Sequence, residues 1–377
     1  MKVLHVYSGN LFGGIETLLL TIARGQNLVP QMQHSFALCF EGRLSNELKQ
    51  SGAEVFQLGN VKMSRPWTVL KARVKLKQIL RKSDFDVVIC HGCWPEAIFG
   101  SVAKSNNIPL VFWCHDTPQA KHLVEKLAKL TPPDLTIANS FYTQSSIDLL
   151  YPKTPSEVLY CPVTANVPQD KQAVRNTIRN NLNTPENAVV IIQSSRLERW
   201  KGQSFLLEAL GQLRDLPNWI CWIAGGVQKT EENDYFQELK NQAQELGIGD
   251  RVLFLGQRSD VANLLVAADI HCQPNTGPEP FGIALIEALY SGLPVVTTNI
   301  GAALEISDES CGRLVQSGNL ESLSNTLAEL IVDPSIRLKL ASFGRAKATN
   351  MCDPQRQLSS LYELLANLVS SYLRLRS

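Results

Sequence analysis

Short apolar runs alternate along the chain with longer stretches in which apolar residues recur every three or four positions. The runs predict strands over 3–7, 34–40, 54–58, 86–90, 109–114, 135–138 and 157–161 in the first half. In the second half they predict strands over 188–193, 219–224, 251–255, 270–273, 294–297 and 313–315. The longer stretches predict helices, among them 203–213, 233–246, 261–268, 281–291 and 320–332. Short apolar runs alternating with amphipathic helices indicate an α/β chain with parallel sheets covered on both faces, twice over. Between the two series, 162–171 holds two prolines and no period, which marks a boundary. The expected division is 1–165, 166–352 and a final amphipathic segment over 353–377.

Composition narrows the class. A chain of 377 residues exceeds the roughly 250–300 that one core accommodates, so two domains are expected. Hydrophobic residues make up 44% and charged residues 19%, which is ordinary for a globular protein. The formal net charge of +1 points to no polyanionic partner, and nucleic acid is not expected. No apolar run approaches the roughly 18 residues of a membrane span. Met1 leads directly into a strand-like run with no leader-like segment, so a cytoplasmic protein is expected. Nine cysteines, mostly inside apolar runs, are expected to be reduced thiols.

Ligands of open parallel sheets bind beyond the carboxyl ends of the strands, so the strand-to-helix turns carry the chemistry. The first turn, 8–16, contains Gly13 and Gly14, which let a ligand approach the backbone at a helix start. It has neither the G-x-G-x-x-G spacing nor the Lys-Ser/Thr of a P-loop. A tight turn packed on its helix is the plain alternative. The second, Trp113-Cys-His-Asp-Thr117, sets His115 at a strand end, where it could place a polar group over a substrate or simply be capped by its neighbours. Cys90 and Cys93 could join Cys114 and His115 around zinc, but two strand ends would have to supply a closed tetrahedron, so no metal site is expected. Asp84 and Asp86 imitate a D-x-D motif at the wrong end of a strand. In the third turn, 194–202, Arg196 and Lys201 flank a helix start. Two cations there oppose the helix dipole unless they share an anion, and a guanidinium fork with an ammonium suits a diphosphate.

The fourth turn holds two glutamates, Glu279 and Glu287, with seven residues between them. Pro280 suits the first helical position, which would put Glu279 at or just before the N-cap. Glu287 would then lie roughly 12 Å along the axis, on a face shared with Ile283, Ala284 and Ser291. That separation excludes a dyad sharing one proton. An ionised carboxylate in so apolar a helix needs donors, from the protein or from a ligand. The N–H groups of Phe281, Gly282 and Ile283 between the glutamates favour an anion. The pattern fits an extended ligand with hydroxyls at both ends and phosphates between them, as in a nucleoside diphosphate sugar.

Taken together, these residues resemble the retaining glycosyltransferases of family 4. The parts come in that family's order: Gly13-Gly14, His115, Arg196 with Lys201, then Glu279 and Glu287 in "EPFGIALIEAL". "IAGG" (223–226), "FLGQR" (254–258) and "SGLPVV" (291–296) also look like the family's second domain. The resemblance implies the GT-B architecture, with two Rossmann-like domains across a cleft, the first for acceptor and the second for donor. It implies transfer of a hexose-type sugar from a nucleoside diphosphate sugar to a hydroxyl of a sugar, lipid-linked or small-molecule acceptor, with retention, in polysaccharide, glycolipid or glycoconjugate synthesis. By the same resemblance Arg196 and Lys201 bind the diphosphate, Glu287 the ribose hydroxyls, Glu279 the transferred sugar, and His115 faces that sugar. Gly13 and Gly14 close on the phosphate, the final helix crosses back to the first domain, and neither metal nor cofactor is required. Ala302 and Ala303 stand where the family often has glycine. An epimerase would need further acid–base carboxylates, and a phosphorylase a pyridoxal lysine. A non-catalytic binding subunit would have no reason to keep all five polar residues.

The segment 61–82 carries Lys71, Arg73, Lys75, Lys77 and Arg81 among its bases and no acid. Trp67, Leu70, Val74 and Ile79 recur at roughly helical spacing. Such a helix could dock peripherally on the anionic inner face of a membrane, which would suit a lipid-linked acceptor. A solvated helix face is the alternative.

Overall fold

A computed structural model describes residues 1–9 and 12–374. The chain forms two compact units, Met1–Thr164 with Cys352–Ser377, and Ala165–Met351.

The first unit contains strands β1 (Lys2–Tyr7), β2 (Gln33–Leu38), β3 (Glu54–Gln57), β4 (Val87–His91), β5 (Leu110–Cys114), β6 (Leu135–Ala138) and β7 (Ser156–Val158). Its helices are α1 (Gly14–Arg24), α2 (Arg43–Gln50), α3 (Pro66–Lys82), α4 (Cys93–Ser105), α5 (Leu123–Ala128) and α6 (Phe141–Ile147). The second unit begins with α7 (Lys171–Asn181) and continues with β8 (Val189–Ser194), α8 (Gln203–Gln212), β9 (Trp219–Ala224), α9 (Glu232–Glu245) and β10 (Val252–Gly256). It goes on through α10 (Val261–Ala267), β11 (Ile270–Gln273), α11 (Ile283–Ser291), β12 (Val295–Thr298), α12 (Ala303–Ile306) and β13 (Gly312–Val315). Helices α13 (Leu320–Val332), α14 (Pro334–Cys352) and α15 (Pro354–Arg374) complete the chain.

All thirteen predicted strands are present, within one or two residues at most of their ends. They form two parallel sheets, in the orders β3-β2-β1-β4-β5-β6-β7 and β10-β9-β8-β11-β12-β13. Both are the doubly wound order, in which the chain reverses its direction of travel beside the first strand of the unit. The reversal puts a crevice beyond the carboxyl ends of β1 and β4 in one sheet, and of β8 and β11 in the other. The central strands are buried on both faces because helices cover both: β4, β5, β8 and β11 are sealed along their whole lengths. Trp113, Trp219 and Trp222 are among the largest fully sealed side chains. Asp86, one of the two acids that imitate a D-x-D motif, accepts the Lys2 N–H at 2.7 Å at the amino end of the sheet.

Besides the single-turn α12, two longer helices were not legible in the pattern. Helix α7 begins at Lys171, on the edge of the irregular segment, with Asp170 capping the Ala173 N–H. It is held by an ionic knot. Arg179, 3% exposed, donates to Asp269 Oδ2 at 2.6 Å, and Arg175 donates to Asp269 Oδ1 at 2.7 Å. The remaining Arg179 donors reach the carbonyls of Pro185, Glu186, Ala188 and Ala267. Asp269 Oδ2 also accepts the Val190 N–H at 2.7 Å, which ties the knot to β8. Helix α14 has little amphipathic contrast, so periodicity does not mark it. Helix α15 packs on α1 within the first unit: Gln355 donates to the Leu28 carbonyl, and a Cβ on Gly25 would lie 2.6 Å from Leu358 Cδ1.

Removing one partner from so buried an ionic network should be costly. Arg179→Ala should destabilise the protein by about 3–5 kcal/mol. Urea denaturation followed by tryptophan fluorescence checks this, and a loss below about 1 kcal/mol, the ordinary range of a surface pair, would contradict it.

Candidate functional site

The reversal point of the second sheet lies between β8 and β11, and the loops leaving these strands meet there. After β8 the chain turns through 195–202 and enters α8 from Gly202, whose φ of 76° is left-handed. A Cβ on Gly202 would lie 2.0 Å from the Pro274 carbonyl oxygen, so only glycine lets this turn touch the β11 loop. The Thr276 N–H donates to the Trp200 carbonyl at 2.9 Å, and Thr298 Oγ1 to the Asn275 carbonyl at 2.7 Å. Gly225, after β9, would place a Cβ 2.0 Å from the Ser195 carbonyl oxygen. The carboxyl ends of the central strands are thereby stitched into one rigid floor.

Glu279 sits on this floor, 7% exposed. Its Oε2 accepts from Lys201 Nζ at 2.6 Å, Gln273 Nε2 at 3.0 Å and Asn275 Nδ2 at 3.0 Å. None of these donors reaches Oε1. Its backbone is fixed as well: its carbonyl accepts the Ala302 N–H at 2.8 Å, and a Cβ on Gly301 would strike its nitrogen at 2.6 Å. Ala302, where the family often has glycine, is therefore buried and bonded to the Glu279 backbone. Lys201 also lies over the Trp200 ring, 4.0 Å from its centroid.

The geometry corrects several expectations. Helix α11 starts at Ile283, not at Pro280, because Gly282 takes a left-handed φ of 109° as its N-cap. Glu279 thus belongs to a loop, and the axial spacing to Glu287 does not apply. Phe281 lies outside the helix and is buried, so the unpaired N–H groups of the helix start move to Gly282, Ile283 and Ala284. Glu287 is partly buried, not sealed in the core. It shares the partly open face of α11 with Ile283 and Ala284, while Leu285, Ile286, Ala288 and Leu289 are sealed. Desolvation alone raises its carboxyl to about 7. Arg196 and Lys201 do not lack anions: Arg196 pairs with Glu198 at 3.0 Å and Lys201 with Glu279. Arg196 keeps 35% of its side chain exposed, so its partner can be exchanged.

The other sequence-selected residues belong to the first unit. Gly13 caps α1, and its N–H donates to Glu16 Oε2 at 2.8 Å, so that donor is already engaged by the protein. Gly14 opens the helix. Asn10 and Leu11 of that turn lie outside the described residues. His115 stands one residue past β5, half-buried, with Nε2 bonded to His91 Nδ1 at 2.9 Å. Among the described residues no group of three or more His, Cys, Asp or Glu side chains is placed to hold a metal. All nine cysteines are free thiols. Gln273 and Asn275, two of the three donors to Glu279, escaped notice in the sequence. The signal was a buried strand ending in polar side chains, His-Cys-Gln-Pro-Asn over 271–275.

Two family models match the chain. "Glycosyltransferase Family 4" covers 12–167 and "Glycosyl transferases group 1" covers 174–347. The chain is 29% identical over 189 residues to the alpha-1,3/1,6-mannosyltransferase ALG2 of Homo sapiens, covering 48% of this chain and 45% of that one. It is 26% identical over 286 residues to a D-inositol 3-phosphate glycosyltransferase of Saccharomonospora viridis, covering 70% and 66%. The matches thus span less than two thirds of these curated relatives. Among solved structures, Anabaena HepE in complex with UDP and glucose superposes with a TM-score of 0.87 at 26% identity, covering 97% of this chain and 100% of that one. With two Rossmann-like sheets, the two models in tandem and this likeness along the whole chain, the protein belongs to the glycosyltransferases of family 4, of GT-B architecture.

Proposed function

We propose that the protein is a retaining glycosyltransferase that moves a hexose-type sugar from a nucleoside diphosphate sugar to a hydroxyl acceptor. The observation that carries this is the Glu279 clamp. Three donors on Oε2 hold the carboxylate in place, and Oε1 is left to accept hydroxyls of the transferred sugar. Arg196 and the helix-start N–H groups of Gly282, Ile283 and Ala284 supply the positive field for a diphosphate, so neither a metal nor a cofactor is called for. Glu287, on the open face of the same helix, takes the ribose hydroxyls. HepE has been solved with UDP-glucose, which makes that compound the first donor to test. A lipopolysaccharide-core glycosyltransferase and a phosphatidyl-myo-inositol mannosyltransferase among the relatives favour a lipid-linked acceptor.

Purified protein should release nucleoside diphosphate from one sugar nucleotide, slowly without acceptor and faster with one. In Glu279→Gln turnover should fall about 10- to 100-fold, since a hydrogen bond to a charged group is worth about 1.5–3 kcal/mol. Circular dichroism should show the variant folded. Turnover within about threefold of the parent would remove Glu279 from the site.

The raised Glu287 carboxyl gives a pH signature. A folded-state value above the ordinary one means that ionisation opposes folding: this contribution to stability is fully present below about 4.5 and is lost as pH rises through about 7. Hydroxyls donating to the ionised carboxylate act in the opposite direction. Sugar-nucleotide affinity, measured by calorimetry, should therefore rise with pH through about 7 and then level. Glu287→Gln should flatten that rise, and an unchanged slope would exclude Glu287 as its source.

We further propose that α3 docks on anionic lipid. Trp67, Leu70 and Val74 are 59%, 64% and 49% exposed and form one stripe. Lys71, Lys75, Lys77 and Arg81 are exposed around it. Two residues of the expected set turn inward: Arg73 donates to the Ile98 carbonyl and to Ser101 Oγ, and Ile79 packs on the core. Vesicles containing phosphatidylglycerol should sediment the protein at low salt, and high salt or serine at 67, 70 and 74 should release it. Equal sedimentation with phosphatidylcholine alone would overturn the proposal.

A further inference from the structure

Four of the six histidines form a continuous row on one face of the first sheet. His34 Nδ1 bonds His5 Nε2, His5 Nδ1 bonds His91 Nε2, and His91 Nδ1 bonds His115 Nε2, each at 2.9 Å. The register explains the row. His34 pairs with Val3, and His5 lies two residues further along β1. His5 pairs with Ile89, and His91 lies two further along β4. His91 pairs with Trp113, and His115 lies two further along. Steps of two keep every ring on the same face, so the row runs diagonally from the start of β2 to the carboxyl end of β5. Packing fixes the rings: His5 stacks on Phe36 with centroids 5.1 Å apart, and Trp113 stacks on His91 and His115 at 5.4 and 5.7 Å.

The rings are neutral. Burial lowers His34 to about 4 and His115 to about 3. Burial, followed by neighbouring histidines, lowers His5 and His91 well below the usual range. A neutral imidazole has one donor and one acceptor nitrogen. Every link joins Nδ1 of one ring to Nε2 of the next, so the three bonds can all form only if the four rings share one tautomer. If all carry the proton on Nδ1, His115 offers a donor at its outer nitrogen. If all carry it on Nε2, that nitrogen is an acceptor. A proton accepted at His115 Nδ1 would pass Nε2–H protons from ring to ring and release one from His34 Nε2, inverting every tautomer with no net charge left in the row.

We propose that His34, His5 and His91 are positioning residues that tie the tautomer of His115 to their own, coupling the outer nitrogen of His115 to that of His34 at the far end of the row. The consequence for sugar transfer rests on the function proposed above, with His115 facing the transferred sugar as the family resemblance implies; the coupling itself does not.

Two measurements separate these. In 15N-labelled protein at neutral pH, the imidazole nitrogen shifts should show one tautomer common to the four rings. His122 and His271, outside the row, serve as references. In His5→Phe the His115 nitrogens should shift, and in the milder His34→Gln they should shift less, because an amide can still donate or accept. Mixed tautomers in the parent, or unmoved His115 signals in a folded His5→Phe protein, would overturn the coupling. In a transfer assay kcat of His5→Phe should fall at least about tenfold, with KM for the sugar nucleotide held within about twofold. An unchanged kcat would overturn the positioning role. If the parent transfers no sugar at all, the function above fails, and the nitrogen shifts still decide the coupling.

Discussion

The parallel order of each sheet forces its loops to separate at one place, between the first and fourth strands of the unit, and this constraint governs where polar chemistry can sit. In the second unit the separation is bridged by one carboxylate. Glu279 collects Lys201 from the β8 turn, and Gln273 and Asn275 from the end of β11. Gly202 and Gly301 allow the neighbouring backbones to approach closely enough for the clamp to close. The glycines, the polar strand end and the ion pair form one device. With all donors directed at one oxygen, the other keeps its acceptor capacity in a site that is already rigid.

Much of this was legible in the sequence because it depends on local pattern. Thirteen strands followed from runs such as Val-Val-Ile-Ile at 189–192, whose burial on both faces leaves no room for polar alternation. The turn residues Arg196, Lys201 and Glu279 stood out as charges beside glycines at strand ends. Their pairing did not, because which cation meets which anion depends on the distance between two loops more than seventy residues apart. Helix α11 shows the limit of the cap rules. Pro280 is a legitimate first helical residue, but Gly282 is free to take a left-handed φ, and the close approach of Gly301 to Glu279 holds the preceding residues out of the helix.

Glu287 and Arg73 mark a second limit. One looked buried because its neighbours in sequence are apolar, and the other looked exposed because its neighbours are basic. Helix rotation decided both. The three residues Ile283, Ala284 and Glu287 share the open side of α11, and Arg73 falls on the side of α3 that meets α4. A composition window averages over the two faces that rotation separates.

The histidine row was invisible for a stricter reason. His5, His34, His91 and His115 are scattered over more than a hundred residues, and each alone resembles a histidine satisfied within a core. Only the strand register, advancing two residues per strand, brings the four into line. The reversal points of the two sheets are thereby furnished in opposite ways. One carries cations paired with carboxylates, Arg196 with Glu198 and Lys201 with Glu279. The other carries neutral imidazoles held below their usual basicity by burial, which can exchange donor for acceptor without placing a net charge in a sealed sheet.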